Sequence, residues 1–271
     1  MLRWTLILLA VPVILAVAGW LGLRIRPASF PAYPAQEPDF EWVDLPAGLP
    51  EPVARFYKTA FGDQVPIIKS AVITGVADLR FMGITFPTRF RFTHDAGHNY
   101  RHYIESTVFG LPLLKVNEFY LDGHSRLELP VGVVENQPRT DSAANLGLWG
   151  ESVWLSPLFV TDPRVRWEAI DEDTARLIVP FGDEADSFTV TFDPATGLIN
   201  TMSTTRWRDA KDETPLEWTL EVRDWQAFHG VLVPLSGSAI WSDQGTPWLV
   251  MTPENIAFNV DVSETIRERG L

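Results

Sequence analysis

The sequence predicts a mainly β domain of the α+β class. We expect one large curved antiparallel sheet, or half-barrel, with about two helices packed on one face and one transmembrane helix in front. Three patterns support this fold class: apolar residues alternate with period two in many stretches, two segments have helical spacing, and one N-terminal run is apolar and uncharged. With 46% hydrophobic residues in 271, the chain can bury a core of that size.

The period-two alternation is clearest in three segments. Residues 86–92, 187–193 and 217–223 place aromatic and branched side chains on one parity and polar side chains on the other. Such strands have one buried face and one solvated face, which is typical of antiparallel sheets. Further strands are predicted at 67–79, 99–108, 113–121, 163–170, 174–181, 198–207, 231–241 and 247–259.

Two segments inside the domain break this pattern. Residues 51–61 and 141–158 carry apolar side chains at helical spacing. Asp141 or Ser142 is the predicted N-cap of the second helix, and Pro157 marks its end. These are the two helices expected on the sheet.

The N-terminal run at 4–23 has 20 positions without a charge. At about 1.5 Å per residue it just spans a hydrocarbon core of about 30 Å. Arg3 bounds it on one side, and Arg24 and Arg26 bound it on the other. The alternative is a cleaved signal peptide with its site at 16–18 (AVA), but the apolar run continues past that site. An uncleaved anchor is therefore predicted.

The segment that follows the anchor is rich in proline. Residues 27–52 contain seven prolines and five acids and no Lys or Arg, a composition that favours extended, semi-rigid chain. We assign 24–48 to a Pro-rich acidic stalk, 49–262 to the β-rich domain and 263–271 to a C-terminal tail. A short N-terminal tail normally stays in the cytoplasm, and the segment after the anchor has no basic residue to hold it there. Both features favour a domain outside the cytoplasm.

Charge and cysteine content exclude several classes of function. The formal net charge is −13, and without the three arginines beside the anchor the remainder carries 35 acids against 19 bases, or −16. A surface this acidic repels nucleic-acid phosphates, so no nucleic-acid partner is expected. The absence of cysteine excludes disulfides, thiolate metal sites, Cys nucleophiles and a lipidated Cys.

No sequence motif in the chain indicates a particular reaction. There is no nucleophile elbow, phosphate-binding loop or dinucleotide fingerprint. Four histidines fall close together in sequence, but His98 and His102 on one strand would lie about 13 Å apart, too far for one ion. The four are His94, His98, His102 and His124, and His94 and His98 flank a predicted hairpin tip and are expected to face water. Catalytic residues, metal ligands and cofactors are therefore all predicted to be absent, and a binding role is favoured over an enzymatic one.

The most unusual local feature is a carboxylate in an apolar helix. Glu151 and Trp154 are i, i+3 neighbours, and a buried carboxylate there needs a partner, for which Arg166 or Arg206 is expected. The alternative is that Glu151 only fastens the helix to the sheet. Tryptophans pose the same choice between a ligand cavity and core filling. The cavity candidates are Trp149, Trp154, Trp167, Trp207, Trp218 and Trp241, and the predicted ligand-binding set is Glu151, Trp154, Trp167, Arg206 and Trp218.

Several runs resemble an uncharacterised bacterial family, a domain of unknown function that usually follows a membrane helix. They are ESVWLSPLFV, VRWEAIDEDTARLIV, FTVTFDPATGLI and PLEWTLEVRDWQAFHGVLVPLSGSAIW, together with LPEPVARFYKTAFG and the hairpin FYLDGHSRLEL. The likeness spans about 49–258. The segment 145–148 (NLGL) departs from the family, whose members often carry Arg or Glu there. At fold level the layout is similar to the half-barrels of periplasmic lipoprotein carriers.

The function predicted from the sequence is an extracytoplasmic binding or carrier domain for an apolar ligand, which is a lipid or the acyl chain of a lipoprotein. It would be held in a bacterial inner membrane by a single pass at 4–23, facing the periplasm or the outside. Two alternatives stay open. One is an envelope protein-interaction or scaffold module whose aromatics only fill a core. The other is a hydrolase, which requires two carboxylates converging in one cleft.

Overall fold

The computed structural model describes residues 2–269, with side chains from residue 11 onward. The first helix, α1, runs Leu2–Gly22. Within the described part of the chain, no helix is both long and apolar enough to cross a membrane. The anchor predicted at 4–23 begins among residues whose side chains lie outside that part.

The β structure comprises a two-stranded sheet and a 13-stranded sheet. The small sheet pairs β1 (Trp42–Asp44) with β2 (Gln64–Pro66). The large sheet contains β3 (Ser70–Phe81), β4 (Ile84–Asp95), β5 (Asn99–Val108), β6 (Leu111–Leu121), β7 (His124–Leu129), β8 (Gly132–Glu135), β9 (Arg166–Ala169), β10 (Thr174–Phe181), β11 (Glu184–Phe192), β12 (Ile199–Arg206), β13 (Leu216–Phe228), β14 (Val231–Trp241) and β15 (Leu249–Phe258). Three of the predicted strands have the observed bounds, at 99–108, 174–181 and 231–241.

The large sheet is antiparallel throughout and is not closed. Its order is β8-β7-β6-β5-β4-β3-β15-β14-β13-β12-β11-β10-β9. Neighbours in this order are also neighbours in sequence, except where β3 pairs with β15. The two edges, β8 and β9, are joined in sequence by the helical segment between them, so this segment must cross from one edge of the sheet to the other.

The helices of the domain are α2 (Glu51–Ala60), α3 (Pro138–Glu151) and α4 (Leu158–Thr161), with 3₁₀ turns at Ser152–Leu155 and Thr265–Arg267. The predicted start of α3 at Asp141 or Ser142 is wrong. Pro138 occupies the first turn, where its missing N–H costs no hydrogen bond. The Asp141 carboxylate instead accepts hydrogen bonds from the backbone N–H and hydroxyl of Ser125 on β7.

Contacts of α3 with strands near both edges of the large sheet show that this sheet is curved. Strands β7 and β10 are ten positions apart in the sheet order, which is about 48 Å in a flat sheet. A helix is only about 10–12 Å wide, yet α3 packs against both strands. The sheet therefore wraps around the helix as a half-barrel, as expected from the sequence.

Asn145 in α3 is buried and ties the two halves of the half-barrel together. Its side-chain amide donates to the backbone oxygen of Pro180 on β10 and to Asp186 on β11, at 3.1 and 2.8 Å. Its side-chain oxygen accepts from the hydroxyl of Tyr120 on β6 at 3.2 Å. A single buried residue thereby joins strands that lie near opposite edges of the sheet.

The proline-rich segment after α1 is extended and contacts the sheet along its length. The Phe30 ring lies under the guanidinium of Arg89, at 4.4 Å, on the face opposite the helices. Further along, Glu37 contacts His229 at 2.8 Å and the Phe40 ring packs on Phe258. The segment assigned to a stalk thus keeps the end of α1 close to the sheet.

Candidate functional site

Two histidines meet inside the half-barrel on the β4–β5 hairpin. His94 pairs with Tyr100 and Phe92 pairs with His102 across the two strands. His94 and His102 are therefore diagonal neighbours on one face, with ring centroids 5.8 Å apart. Glu151, the last residue of α3, reaches the same point, and its Oε2 lies 2.6 Å from His102 Nε2 and 3.8 Å from His94 Nε2.

Aromatic rings enclose this cluster. The His102 ring lies between Phe92 and Tyr100, with centroids at 3.9 and 4.0 Å. The His94 side chain is fully buried, and the Glu151 side chain is 14% exposed. The cluster is therefore in a largely dry interior, where charge interactions are stronger than in water.

The cluster leaves several buried polar atoms without a hydrogen bond. Both ring nitrogens of His94 have no partner, and His102 Nε2 and Glu151 Oε2 approach closely without hydrogen-bond alignment. The ligand atoms of the three residues all lie within 4.8 Å of one another. Imidazole nitrogen and carboxylate oxygen are metal ligands, so these three residues have the spacing and chemistry to hold one ion.

A second carboxylate meets His102 from the other side. Glu118 on β6 places its Oε2 3.8 Å from His102 Nδ1, and its Oε1 accepts a 2.6 Å hydrogen bond from the Tyr100 hydroxyl. Two carboxylates thus converge on one imidazole, but Glu118 lines the neighbouring cavity and Glu151 does not, so the two do not share the cleft that the hydrolase alternative requires.

The pKa values in this cluster are strongly shifted. Burial, with the charge of His102, lowers the pKa of His94 to about 3. Burial also lowers the pKa of His102, but the charges of Glu151 and Glu118 outweigh it and raise that pKa to about 9. The pKa of Glu118 falls to about 2, because contacts with His102, Tyr100 and Arg206 outweigh its burial. Without a metal, the favoured state has neutral His94 and a charged His102 between two carboxylates.

A cavity of about 620 Å³ opens beside this cluster, between α3 and the ends of the sheet strands. Glu118 lies in its wall and links it to the histidines. The volume falls in the range of small-molecule pockets. The cavity is lined by Arg80, Phe81, Met82, Glu118, Ser125, Leu127, Val134, Thr140, Ala143, Ala144, Arg206, Trp207, Arg208, Trp241, Gln244 and Trp248.

The cavity lining is cationic, in contrast to the acidic chain. It contains three arginines, Arg80, Arg206 and Arg208, and one acid, Glu118; Arg208 is paired with Asp243 at 2.9 Å, which leaves Arg80 and Arg206 against Glu118. The Nε of Arg206 donates to the backbone oxygen of Ala143 at 2.8 Å, and its guanidinium lies 4.4 Å over the Trp218 ring. The cavity therefore combines indole surfaces with a local excess of positive charge.

The sequence model of a protein family of unknown function (DUF6544) matches residues 40–251, which is more than half of the chain. The chain belongs to the DUF6544 family. This confirms the resemblance to an uncharacterised family with a β-rich domain. No curated protein matches the chain.

Solved structures similar to this DUF6544 domain are distant in sequence. A putative outer membrane lipoprotein-sorting protein domain from Vibrio parahaemolyticus is 14% identical, with 79% of this chain and 92% of that chain covered and a TM-score of 0.44. A LolA-superfamily protein from Nitrosomonas europaea is 9% identical, with coverage of 80% and 96% and a TM-score of 0.47. A DUF1329 family protein from Desulfovibrio piger is 11% identical, with coverage of 80% and 94% and a TM-score of 0.44.

The structure separates the five predicted ligand-binding residues. Arg206 lines the cavity and stacks on buried Trp218. Glu151 lies in the histidine cluster, and its observed partner is His102 rather than the expected Arg166 or Arg206. Trp154 is buried in the core and donates from Nε1 to the Pro234 oxygen at 3.1 Å. Trp167 packs on Phe159 at the β9 edge.

Of the wider tryptophan set, Trp207 and Trp241 line the cavity in this DUF6544 domain, and Trp149 fills the core. Trp248 also lines the cavity and was not among the candidates. The expectation that His94 faces water at a hairpin tip is wrong, because His94 points to the helix side of the sheet. The signal available in the sequence was the His94–His102 spacing, which puts both residues on one face once the tip is centred on Gly97.

Proposed function

We propose that the chain is a membrane-attached binding domain that takes an acyl-chain amphiphile from the bilayer surface into the cavity between α3 and the sheet. The observation that carries the proposal is that Phe81 and Met82 belong both to the cavity lining and to an exposed apolar edge beside α1. In this proposal the segment 4–23 anchors the chain in a bacterial inner membrane. The domain then lies on the side of that membrane that faces away from the cytoplasm.

The described part of α1 supports an apolar environment around the helix. Its large apolar side chains from residue 11 are exposed, including Ile14 and Leu15 at about two thirds of their surface. An exposed run of this kind is unfavourable in water and favourable in lipid. The end of the helix is fastened to the domain, since the Phe109 N–H donates to the Gly22 oxygen at 2.8 Å.

Three neighbouring hairpins present apolar tips at the same end of the sheet. Alternate hairpins of an antiparallel meander share an end, which places the β3–β4, β5–β6 and β7–β8 tips side by side. Hairpin tips are normally polar, but Met82 is 86% exposed and Val131 93% exposed. The other exposed apolar residues of these hairpins are Phe81, Ile84, Phe109, Leu111, Leu113, Leu114 and Val133.

This apolar edge adjoins the C-terminal end of α1. The edge and the proposed anchor therefore lie at the same end of the domain. The Gly22 oxygen bonds at the β5–β6 tip, and Arg26 forms a 2.8 Å ion pair with Asp78 of β3. At the same end of the sheet, the β10–β11 tip is acidic, with Asp183 and Glu184. Only the half of the end that borders α1 is suited to contact with a bilayer.

The cavity favours a ligand with an acyl chain and an anionic head. Indole and aliphatic walls suit the chain, and the excess of arginines suits a carboxylate or phosphate. The ligand entrance lies at the Phe81–Met82 tip, next to the proposed bilayer surface. A packed interior was expected of a pure scaffold module, so the open cavity favours binding over that alternative.

The absence of cysteine allows a clean ligand-binding experiment. Leu127→Cys in the cavity wall is labelled with a polarity-sensitive fluorophore and titrated with palmitoyl-lysophosphatidylglycerol below its micelle concentration. We expect a saturable blue shift, and no shift for the matched label at Glu172→Cys in the exposed β9–β10 turn. Arg206→Gln weakens binding of this anionic probe by about 10-fold or more while lysophosphatidylcholine is little affected. Equal responses at both labels would contradict the proposal.

Membrane contact is tested separately with the full chain in nanodiscs. Spin labels at Met82→Cys and Val131→Cys are expected to be accessible to oxygen, which partitions into lipid, and protected from a water-soluble nickel reagent. Labels at Asp183→Cys and Glu172→Cys are expected to show the reverse. Nickel accessibility at all four positions would exclude bilayer contact through the hairpin tips.

A further inference from the structure

We infer that His94, His102 and Glu151 form a binding site for one divalent transition-metal ion of the Zn²⁺ type. The site is built from a β-hairpin and the end of α3, and its three ligand atoms lie within 4.8 Å of one another. It is distinct from the proposed amphiphile cavity, which contains none of the three residues.

An ion pair between His102 and Glu151 does not account for the cluster. Such a pair leaves both nitrogens of fully buried His94 without a hydrogen bond, with Nε2 3.8 Å from Glu151 Oε2. A buried polar atom without a partner is costly and rare in native proteins. The 2.6 Å contact of His102 and Glu151 is also not aligned as a hydrogen bond. One ion among the three residues satisfies His94 Nε2, His102 Nε2 and Glu151 Oε2 together.

The distances fit an ion after small movements. Metal–ligand distances of about 2.0–2.2 Å place tetrahedral ligands about 3.3 Å apart. The two measured separations to Glu151 Oε2, 2.6 and 3.8 Å, lie on either side of that value. The third separation, between the two imidazole nitrogens, is at most 4.8 Å, so side-chain movements of up to about 1.5 Å in total bring the three atoms to the required spacing.

The surroundings of His102 match those of a metal-bound imidazole. With Nε2 turned to the site, Nδ1 faces the Glu118 carboxylate at 3.8 Å. Glu118 is itself held by the Tyr100 hydroxyl at 2.6 Å. A carboxylate behind a ligating histidine fixes its tautomer and ring orientation, and the flanking rings of Phe92 and Tyr100 restrict rotation further.

The donor set identifies the chemical class of the ion. Two imidazoles and one carboxylate suit Zn²⁺ and related transition metals rather than Ca²⁺ or Mg²⁺, which prefer oxygen ligands. Three protein ligands leave one tetrahedral position for water or an anion. Among the described residues this is the one group of His, Asp and Glu that meets the spacing for an ion.

The test uses the full chain in detergent, without a histidine tag and stripped with a chelator. Titration with Zn²⁺ alone is expected to give one high-affinity ion per chain, and Co²⁺ is expected to give visible absorption bands of a tetrahedral site. His94→Phe, which replaces the unpartnered ring with one of similar size, abolishes this binding. Glu118→Gln weakens it by about 10–100-fold, and exposed His98→Ala is the matched control with unchanged binding.

Two results would overturn the inference: no stoichiometric Zn²⁺ on the wild-type chain, or equal binding by the His94→Phe and His98→Ala variants. Near-ultraviolet circular dichroism reports whether each variant is folded. If His94→Phe does not fold, Glu151→Gln decides, because it keeps the side-chain shape and removes the ligand charge. Wild-type affinity in a folded Glu151→Gln variant likewise contradicts the site.

Discussion

Two glycines of α3, one turn apart, respond to alanine in opposite directions. A methyl group at Gly150 would lie 2.8 Å from Leu220 Cδ1 and 3.1 Å from the Trp218 ring. Both neighbours are buried and cannot move away freely, so overpacking costs about 2–3 kcal/mol. At Gly147 the nearest atoms are Arg206 Nη2 at 3.5 Å and the Tyr100 hydroxyl at 3.7 Å, which is ordinary contact.

Helix propensity favours alanine by up to about 1 kcal/mol at both positions. The expected net change is therefore about 1–2 kcal/mol of destabilisation for Gly150→Ala and up to about 1 kcal/mol of stabilisation for Gly147→Ala. The two variants therefore differ by about 1–3 kcal/mol, and since 1 kcal/mol shifts Tm by about 2–4 °C in a domain of this size, the difference in a thermal scan is roughly 2–12 °C. A Gly150→Ala variant as stable as Gly147→Ala would refute the close approach of α3 to β13 that positions Glu151.

Three further predictions follow from buried or half-buried polar residues. Asn145→Ala removes three hydrogen bonds across the half-barrel and lowers the free energy of unfolding by about 2–4 kcal/mol in urea, while exposed Asn200→Ala changes it little. Trp154→Phe strands a buried β14 carbonyl and costs about 1–3 kcal/mol by the same assay. Burial raises the pKa of Asp162, but hydrogen bonds and charge from Arg164 outweigh burial and hold it below its usual value. The stabilisation by ionised Asp162 is therefore complete above the unfolded pKa of about 3.9 and is lost as pH falls through the lower folded pKa. The difference in Tm between the wild-type chain and Asp162→Asn is expected to disappear in acid. A difference in Tm that does not change with pH contradicts the ion pair.

Most strands of the large sheet are predictable from the sequence, because each has one solvated face and one buried face. Alternation is strong in β4, β11 and β13, each of which is paired with a strand on both sides. The edge strand β8, its neighbour β7 and the small pair β1–β2 are not predicted as strands from alternation. They are short, and β8 has no buried side chain to create a pattern. The half-barrel curvature was expected from the layout, but its cause, a buried helix that joins the two edges, required the topology.

The site was only partly predictable, because its residues come from elements distant in sequence. Glu151 stands out in the sequence as a carboxylate in an apolar helix, and Arg206 enters only as its expected partner, a pairing that the structure replaces with His102. The histidine partners of Glu151 are not evident from the sequence, because they meet Glu151 only after the β4–β5 hairpin packs against the end of α3. Spacing along one strand separates His98 from His102, whereas the register of the β4–β5 hairpin brings His94 and His102 together across two strands.

Native mass spectrometry of the full chain released from nanodiscs tests the binding proposal most directly. The wild-type chain is expected to retain one acyl-chain amphiphile. Leu127→Trp, which fills the cavity wall, is expected to lose the adduct, while Glu172→Trp in an exposed turn retains it. A bare wild-type chain, or the same adduct on both variants, would contradict a lipid-binding cavity at the membrane-facing end of the half-barrel.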